Sequence, residues 1–434
     1  MNDSFFWDEE KFIRDLSSLI QIPSVYDETT VAQDAPFGKP IKEAFQMIAD
    51  LGIAYTLSPH FDQGYAMDLR TGDGDDYIGV LCHADVVPAE ESEWDSDPFS
   101  LRKQGDFLFG RGVNDDKGPL LLLMQVISQL SKQHQRLKPI RLIIGGAEET
   151  SWECVNHYFS KEKQPALAFS PDGDFPIVNH EKGILKVRIH FPYLPDKEIE
   201  EIISEEQDLY TCDKVSIRCK ATEEYLHFQG ERALSRHPER GSNAVYPMLE
   251  FLRQRKLLDE KNESSVAMMG RFLERYCSQI FMKSFGDKTR NIQEATVTIL
   301  SLSMGKDKAW IDLDFRYEQA SNEQDFLRWL EEKVQTMGGS LELRKHKPLL
   351  KIEENDPLII ALLDAYEKVT KEKGIPMTKG GASYARALNH GVCFGPTFPG
   401  EIPNCHMPNE VISLTSFKKA GHIYYEALKT LALQ

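Results

Sequence analysis

The stretch Tyr77-Ile78-Gly79-Val80-Leu81-Cys82-His83-Ala84-Asp85-Val86-Val87-Pro88 decides the fold. Tyr77 to Leu81 reads as a short apolar strand that delivers His83 and Asp85 just past its C-terminal end. Downstream, Lys117 to Leu130 reads as a buried helix, Arg141 to Gly145 as a central strand, and Ala166 to Ser170 as another strand running into Asp172. Upstream, Asp8 is a plausible N-cap for an amphipathic helix that carries Phe12, Leu16, Leu19 and Ile20 at helical spacing and ends before Pro23. Strands alternating with helices predict an α/β unit, a mixed sheet sandwiched by helices. In such sheets ligands gather where loops leave the carboxyl ends of strands, and His83, Glu148, Glu149 and Asp172 all fall there.

From about residue 184 the texture changes to longer, more polar strands. Ala295 to Ser303 and Ala309 to Tyr317 flank Met304-Gly305-Lys306-Asp307-Lys308 as a hairpin. One helix is expected from Gly241-Ser242-Asn243 through Leu252, and a second from Asn322 to Met337, ending at Gly338-Gly339. These segments predict an inserted α+β domain, residues 184–350, with two helices on one sheet. The helix at Asp356 to Lys371 and the run to His406 return to α/β character, so residues 1–183 and 351–434 are expected to form one domain.

A chain of 434 residues is too long for one ordinary core and predicts two or three domains. Its formal net charge of -17 argues against partners that are nucleic acids or anionic membrane surfaces, since phosphate affinity comes from Lys and Arg. The N-terminus lacks a basic segment followed by an apolar core, so no secretory signal is expected. No stretch approaches the roughly 20 apolar residues of a membrane span. Seven cysteines at irregular spacing, without a CxxC pair, predict reduced thiols and a cytoplasmic location.

Five residues in short contexts, His83, Asp115, Glu149, Asp172 and His406, read together as a two-metal hydrolase site, with Glu148 beside them as general base. Imidazole and carboxylate are the ligands of choice for zinc, and carboxylates also suit manganese or cobalt. Two ions roughly 3.5 to 4 Å apart need one bridging carboxylate and about two terminal ligands each, a count this set supplies. Adjacent side chains in an extended segment point to opposite sides, so one of Glu148 and Glu149 is expected to ligate while the other faces substrate or water. Asp85 projects to the same side as His83 and is expected to accept the free imidazole N–H.

Each element has a plainer reading. Glu148-Glu149 suits a solvated strand end, Asp115-Asp116 a helix N-terminus, and Gly380-Gly381 an ordinary turn. Histidines outside these contexts, such as His60 and His157, read as structural. The joint order of the segments and their placement at strand ends favour the metal site.

With these motifs the chain resembles the aminoacylase and carboxypeptidase group of di-metal metallopeptidases, and within it the bacterial dipeptidase V-like, or Xaa-His dipeptidase, branch. The resemblance covers nearly the whole chain. It rests on Ile22-Pro23-Ser24-Val25, His83-Ala84-Asp85, Trp94 with Asp97-Pro98-Phe99, Gly110-Arg111-Gly112 with Asp115-Asp116-Lys117-Gly118, Glu148-Glu149-Thr150, Pro171-Asp172-Gly173, Tyr384-Ala385-Arg386 and Phe394-Gly395-Pro396. It implies that His83 and Asp172 hold one metal, Glu149 and His406 the other, and that Asp115 bridges them and precedes a cis peptide. The two divalent ions are expected to be zinc, with manganese or cobalt as alternatives. Glu148 would take a proton from the bridging water and pass it to the leaving amine. Arg316 matches a lid arginine that pairs with the carboxylate of a short peptide substrate, and Gly381 and Ser383 are expected to line that substrate. The enlarged lid of this branch stands in for a second subunit, which implies a monomer.

One departure matters. Where the family's lid carries a histidine that polarises the scissile carbonyl, the run Gly230-Glu231-Arg232-Ala233-Leu234-Ser235-Arg236-His237-Pro238-Glu239 places Leu234, leaving His237 or Arg236 as candidates to take over. Ala382 stands where the family has a third glycine. The resemblance thus implies a dipeptidase, with an N-acyl amino acid amidohydrolase or a weakly active metal-binding relative as the alternatives.

Overall fold

The computed structural model describes residues 4–134, 136–277, 281–285, 292–320 and 323–433. The chain folds as two compact units, Met1–His180 with Lys351–Gln434, and Glu181–Leu350.

The first unit is built on a mixed sheet with the strand order Ser58–Asp62, Ala66–Arg70, Ile140–Gly145, Ile78–His83, Leu167–Ser170, Gly391–Cys393, Val178–Glu181. Ile78–His83 runs parallel to both Ile140–Gly145 and Leu167–Ser170, and all six of its residues are buried, as a strand covered on both faces requires. His83 is the last residue of this strand, paired with Gly145, not a residue beyond it.

The helices brace that strand end. Asp8 caps Glu9–Ile20 by accepting from the Lys11 amide at 3.1 Å. The buried Lys117 ammonium donates to the Leu19 carbonyl at 3.0 Å and the Ile22 carbonyl at 2.7 Å, satisfying acceptors left over at that helix's C-terminus. Two residues on, Ser24 donates through Oγ to the Ala84 carbonyl at 2.6 Å and accepts from the Val86 amide at 3.0 Å. The Ile22–Val25 motif therefore pins the turn that follows His83. Lys117 opens the helix Lys117–Gln133, which packs against the C-terminal helix Leu414–Leu433.

The second unit is an antiparallel sheet ordered Tyr225–Gln229, Lys214–Cys219, Ile199–Ser204, Ile292–Gly305, Lys308–Tyr317, Gly183–Phe191, Ser340–Lys347. Along Lys308–Tyr317 the side chains alternate: Ile311, Leu313, Phe315 and Tyr317 enter the apolar core, while Asp312, Asp314 and Arg316 point the other way. Three helices belong to this unit among the described residues, not the two expected, the addition being Ser265–Cys277. The hairpin turns more tightly than predicted, through Lys306 and Asp307 at positive φ, with Met304, Gly305 and Lys308 still paired. The helix expected from Gly241 begins at Val245, because Ser242 pairs its backbone with Glu231 and Asn243 instead accepts the Val245 amide through its side chain. The helix placed at Asn322 to Met337 spans Glu323–Gln335; Asn322 lies outside the described residues.

Candidate metal centre

Loops at the ends of the central strands bring six predicted residues together. His83 Nε2 lies 2.8 Å from Asp115 Oδ1, and His406 Nε2 lies 3.0 Å from both Asp115 Oδ2 and Glu149 Oε1. The two oxygens of Asp115 thus face two different imidazoles. Donor atoms of His83, Asp115 and Asp172 lie within 4.8 Å of one another, and so do those of Asp115, Glu149 and His406. The two sets share Asp115 alone. The peptide between Asp115 and Asp116 is cis.

Two details differ from the sequence reading. Glu148 and Glu149 occupy a turn after the Ile140–Gly145 strand, not an extended segment, and both carboxylates come within 4.8 Å of a His83 ring nitrogen. The turn exists because Asp85 holds it, its Oδ1 accepting the Glu148 amide at 3.1 Å and its Oδ2 the Glu149 amide at 3.0 Å. Its carboxylate being so engaged, Asp85 meets His83 Nδ1 through its backbone carbonyl at 2.9 Å, while the carboxylate stands 3.5 Å away. The imidazole is still oriented from behind, by the carbonyl instead of the side chain.

The electrostatics show a shortage of positive charge. Burial and the neighbouring Glu149 charge push Glu148 well above the usual carboxylate range. Burial and Asp115 raise Glu149 to about 7 and Asp172 to about 6. Burial opposes charge on His83, but Asp115 and Asp85 overcome it and hold the ring's pKa well above that of a free imidazole. His406 is raised to about 11 by Asp115 and Glu149 against its partial burial. Its side chain is 52% exposed, so water screens part of that rise, and the direction follows from two carboxylates at 3.0 Å. Asp115, between two imidazoles, is held well below the ordinary range despite its burial.

Four carboxylates thus crowd two imidazoles. Oxygen and imidazole donors in two sets that share one carboxylate, in a pocket deficient in cations, fit a pair of divalent ions.

Three supporting residues stand in motifs whose sequence does not reveal their roles. Glu410, fully buried, binds the loop that carries Asp115. Asp116 stands at the N-cap position of the Lys117–Gln133 helix but accepts the His83 amide at 3.1 Å instead of capping. Tyr384 presents its ring edge-on to His83, with centroids 6.0 Å apart, and its hydroxyl meets Cys154 Sγ at 2.6 Å. For Glu410 the available signal was an acidic residue four positions after His406. Histidines read as structural include His157, which pairs with Asp62 at 2.7 Å and stacks on Tyr65.

The predicted substrate residues divide between the units. Ser383 is buried, accepting the Ala385 amide at 3.2 Å and lying 2.8 Å from Cys393 Sγ, while the Gly381 carbonyl accepts from Arg386 at 2.9 Å. Arg316, Leu234 and His237 belong to the second unit. Arg316 is buried in a two-point ion pair with Asp314, at 2.9 and 2.8 Å, and Asp314 also accepts from Ser235 Oγ at 2.7 Å. Leu234 is partly exposed, and His237 meets Glu239 at 3.2 Å.

A parallel strand end bearing a histidine, two overlapping donor sets and an adjacent half-buried glutamate are the arrangement of a candidate two-metal hydrolase site. The chain belongs to peptidase family M20/M25/M40, whose pattern matches residues 79–430, and it is a hydrolase of the metallopeptidase class. It is 29% identical to Putative dipeptidase YtjP of Bacillus subtilis over 469 aligned positions, covering 98% of each chain. Among solved structures, aminoacylhistidine dipeptidase from Vibrio alginolyticus shares its fold with a TM-score of 0.62 at 11% identity, covering 98% of this chain and 97% of that one. The Bacillus subtilis YXEP protein, a dinuclear metal binding peptidase, does so with a TM-score of 0.53 at 12% identity, covering 98% and 99%.

Proposed function

We propose that the chain is a di-metal dipeptidase that cleaves short peptides with a free C-terminal carboxylate. The observation that carries this reading is the pair of donor sets sharing Asp115, with the half-buried Glu148 beside them. His83 and Asp172 would hold one ion, Glu149 and His406 the other, and Asp115 would bridge, with zinc the metal that best suits this mixture of imidazole and carboxylate. When bound, two such ions supply Lewis-acid polarisation and water activation, and their charge offsets the crowding that raises Glu148, Glu149 and Asp172.

The chain's own residues do the rest. Glu148 accepts a proton from the attacking water and delivers it to the leaving amine, a role that suits a carboxylate whose proton affinity burial has raised. Asp85 fixes where Glu148 stands through the two amide bonds to its turn. Arg316, held in plane by Asp314, pairs with the substrate carboxylate, and the second unit acts as the lid that brings it. Gly381, Ser383 and His237 are proposed to line the substrate. Membership of the Xaa-His dipeptidase branch, a monomeric state and a cytoplasmic setting belong to the same proposal; seven free cysteines support the setting.

An N-acyl amino acid amidohydrolase is the second reading, which Arg316 serves equally well because such a substrate also ends in a free carboxylate. Incubating the zinc-loaded protein with a dipeptide panel and an N-acetyl amino acid panel separates the two. No turnover on either panel, with two ions bound, would refute both. Glu148→Gln is expected to keep both ions and lose at least about 100-fold in kcat; a near wild-type rate removes Glu148 from this role.

A further inference from the structure

The loop Gly110–Asp116 has no regular secondary structure, yet it lies in the interior, where unpaired amides are costly. One side chain accepts three of its amides. Glu410 Oε2 accepts from Arg111 Nη1 at 2.8 Å and from the Gly112 amide at 3.0 Å, and its Oε1 accepts from the amides of Asn114 at 2.8 Å and Asp115 at 3.0 Å. The Glu410 carbonyl takes the Gly110 amide as well, at 3.2 Å. Arg111, the charged partner, is itself buried, with its guanidinium 5.1 Å from the centre of the Trp94 ring.

The other end of the same residue reaches His406. Asn404, His406 and Asn409 all have positive φ, at 55°, 63° and 58°, a backbone that non-glycine residues hold only when their surroundings enforce it. Glu410 ends that loop and leads into Val411–Ser413. It therefore ties the loop bearing Asp115 to the loop bearing His406, whose side chains meet at 3.0 Å. His83 and Asp172 need no such tie, because one ends a central strand and the other follows the end of its neighbour by two residues. Glu149 and His406 stand on turns.

We propose that Glu410 is a positioning residue that sets Asp115 against His406 and thereby governs the outer, Glu149–His406 half of the metal pair. The proposal rests on the two-metal reading above. Replacing the acid by its amide, Glu410→Gln, turns one acceptor towards the loop's amides into a donor, so the loop can no longer be held at both ends. Glu410→Asp keeps the charge but is one methylene too short to reach both pairs of donors.

Zinc uptake by chelator-buffered titration tests this without reference to turnover. Wild-type protein should take up two ions. In Glu410→Gln the tighter equivalent should stay within about threefold of wild type, while the weaker loses affinity on the order of 10- to 100-fold, as replacement of a ligand's supporting partner does. Glu410→Asp should lie between the two. Leu428→Ala in the C-terminal helix supplies a variant that loses core packing without touching either loop, and it should keep both equivalents. A Glu410→Gln protein that melts earlier yet binds both ions with wild-type affinity overturns the proposal. If that variant does not fold, Glu410→Asp decides: equal loss at both equivalents overturns the assignment, and selective loss at the weaker upholds it. Fewer than two ions on wild-type protein would instead refute the two-metal reading beneath it.

Discussion

Metal loading should expel at least the protons that the empty ligand set holds. Ligation requires neutral imidazole and ionised carboxylate. In the metal-free protein both rings hold protons at pH 7, since His83 is raised well above a free imidazole and His406 is raised to about 11. Even half of the rise at His406 would keep it protonated there. Glu149, at about 7, is half protonated, and Asp172, at about 6, is nearly ionised. One proton from each ring and half a proton from Glu149 give at least about 2.5 protons released per protein at pH 7, and Glu148, raised well above the usual carboxylate range until the ions offset its neighbours, adds to that number. Between pH 7 and 8 the contribution of Glu149 falls by about half a proton, whereas between pH 7 and 6 Glu149 and Asp172 together add about one.

The sign follows directly. Because binding releases protons, affinity weakens as pH falls, and it weakens more steeply between pH 7 and 6 than between 8 and 7. Isothermal titration with zinc in two buffers of different ionisation heat measures the release at each pH. Release of fewer than one proton at pH 7, with two ions bound, would mean that the metals do not displace the protons of His83 and His406, and the assignment of both rings as ligands would fall.

Two further tests concern the second unit. Arg316→Lys should raise KM and lower kcat/KM by on the order of 10- to 100-fold, because an ammonium cannot replace a two-point contact worth about 1.5–3 kcal/mol per charged bond, while zinc stoichiometry stays at two; unchanged steady-state kinetics on dipeptides would exclude Arg316 from the carboxylate. Leu234→His should raise turnover if the missing hydrogen-bond donor limits the reaction, by up to the 10²–10³ that such donors contribute. Equal kcat in the two proteins would show that another group already serves.

What could be read from the chain and what could not follow one physical line. His83 ends a strand, Glu149 and Asp172 follow strands and Asp115 stands just before a helix, so local hydrophobic pattern places them, and the mixed sheet of the first unit is as expected. Side-chain partnerships across long separations leave no such local trace. Glu410 meets Asp115 across 295 positions, and Asp85 meets Glu149 across 64. The expectation that Glu148 and Glu149 diverge assumed an extended backbone, whereas Asp85 imposes a turn. Ser265–Cys277 was missed although Val266, Met269, Phe272 and Leu273 have helical spacing, because Gly270 lowers helix propensity at its centre. That glycine lets Leu258 pack close: a Cβ there would stand 2.3 Å from Leu258 Cδ2, so the leucine side chain would have to shift. Gly421 interrupts Leu414–Leu433 for the same reason, with the Phe5 ring 2.4 Å from where its Cβ would be.

The same line separates the two halves of the candidate metal centre. His83 and Asp172 sit at or just beyond the ends of buried strands, so the sheet that makes the fold also makes their geometry, and they need few dedicated partners. Glu149 and His406 lie on a turn and on a loop with three left-handed residues, so their geometry depends on acids that are not themselves in the donor sets: Asp85 for one and Glu410 for the other. His406 is also half exposed, whereas His83 is fully buried. A site organised this way has one half as rigid as the core and one half that is only as rigid as two buried carboxylates make it. Local opening should therefore cost less at the solvent-facing His406 loop than at the His83 strand end, which hydrogen exchange of the two segments would measure.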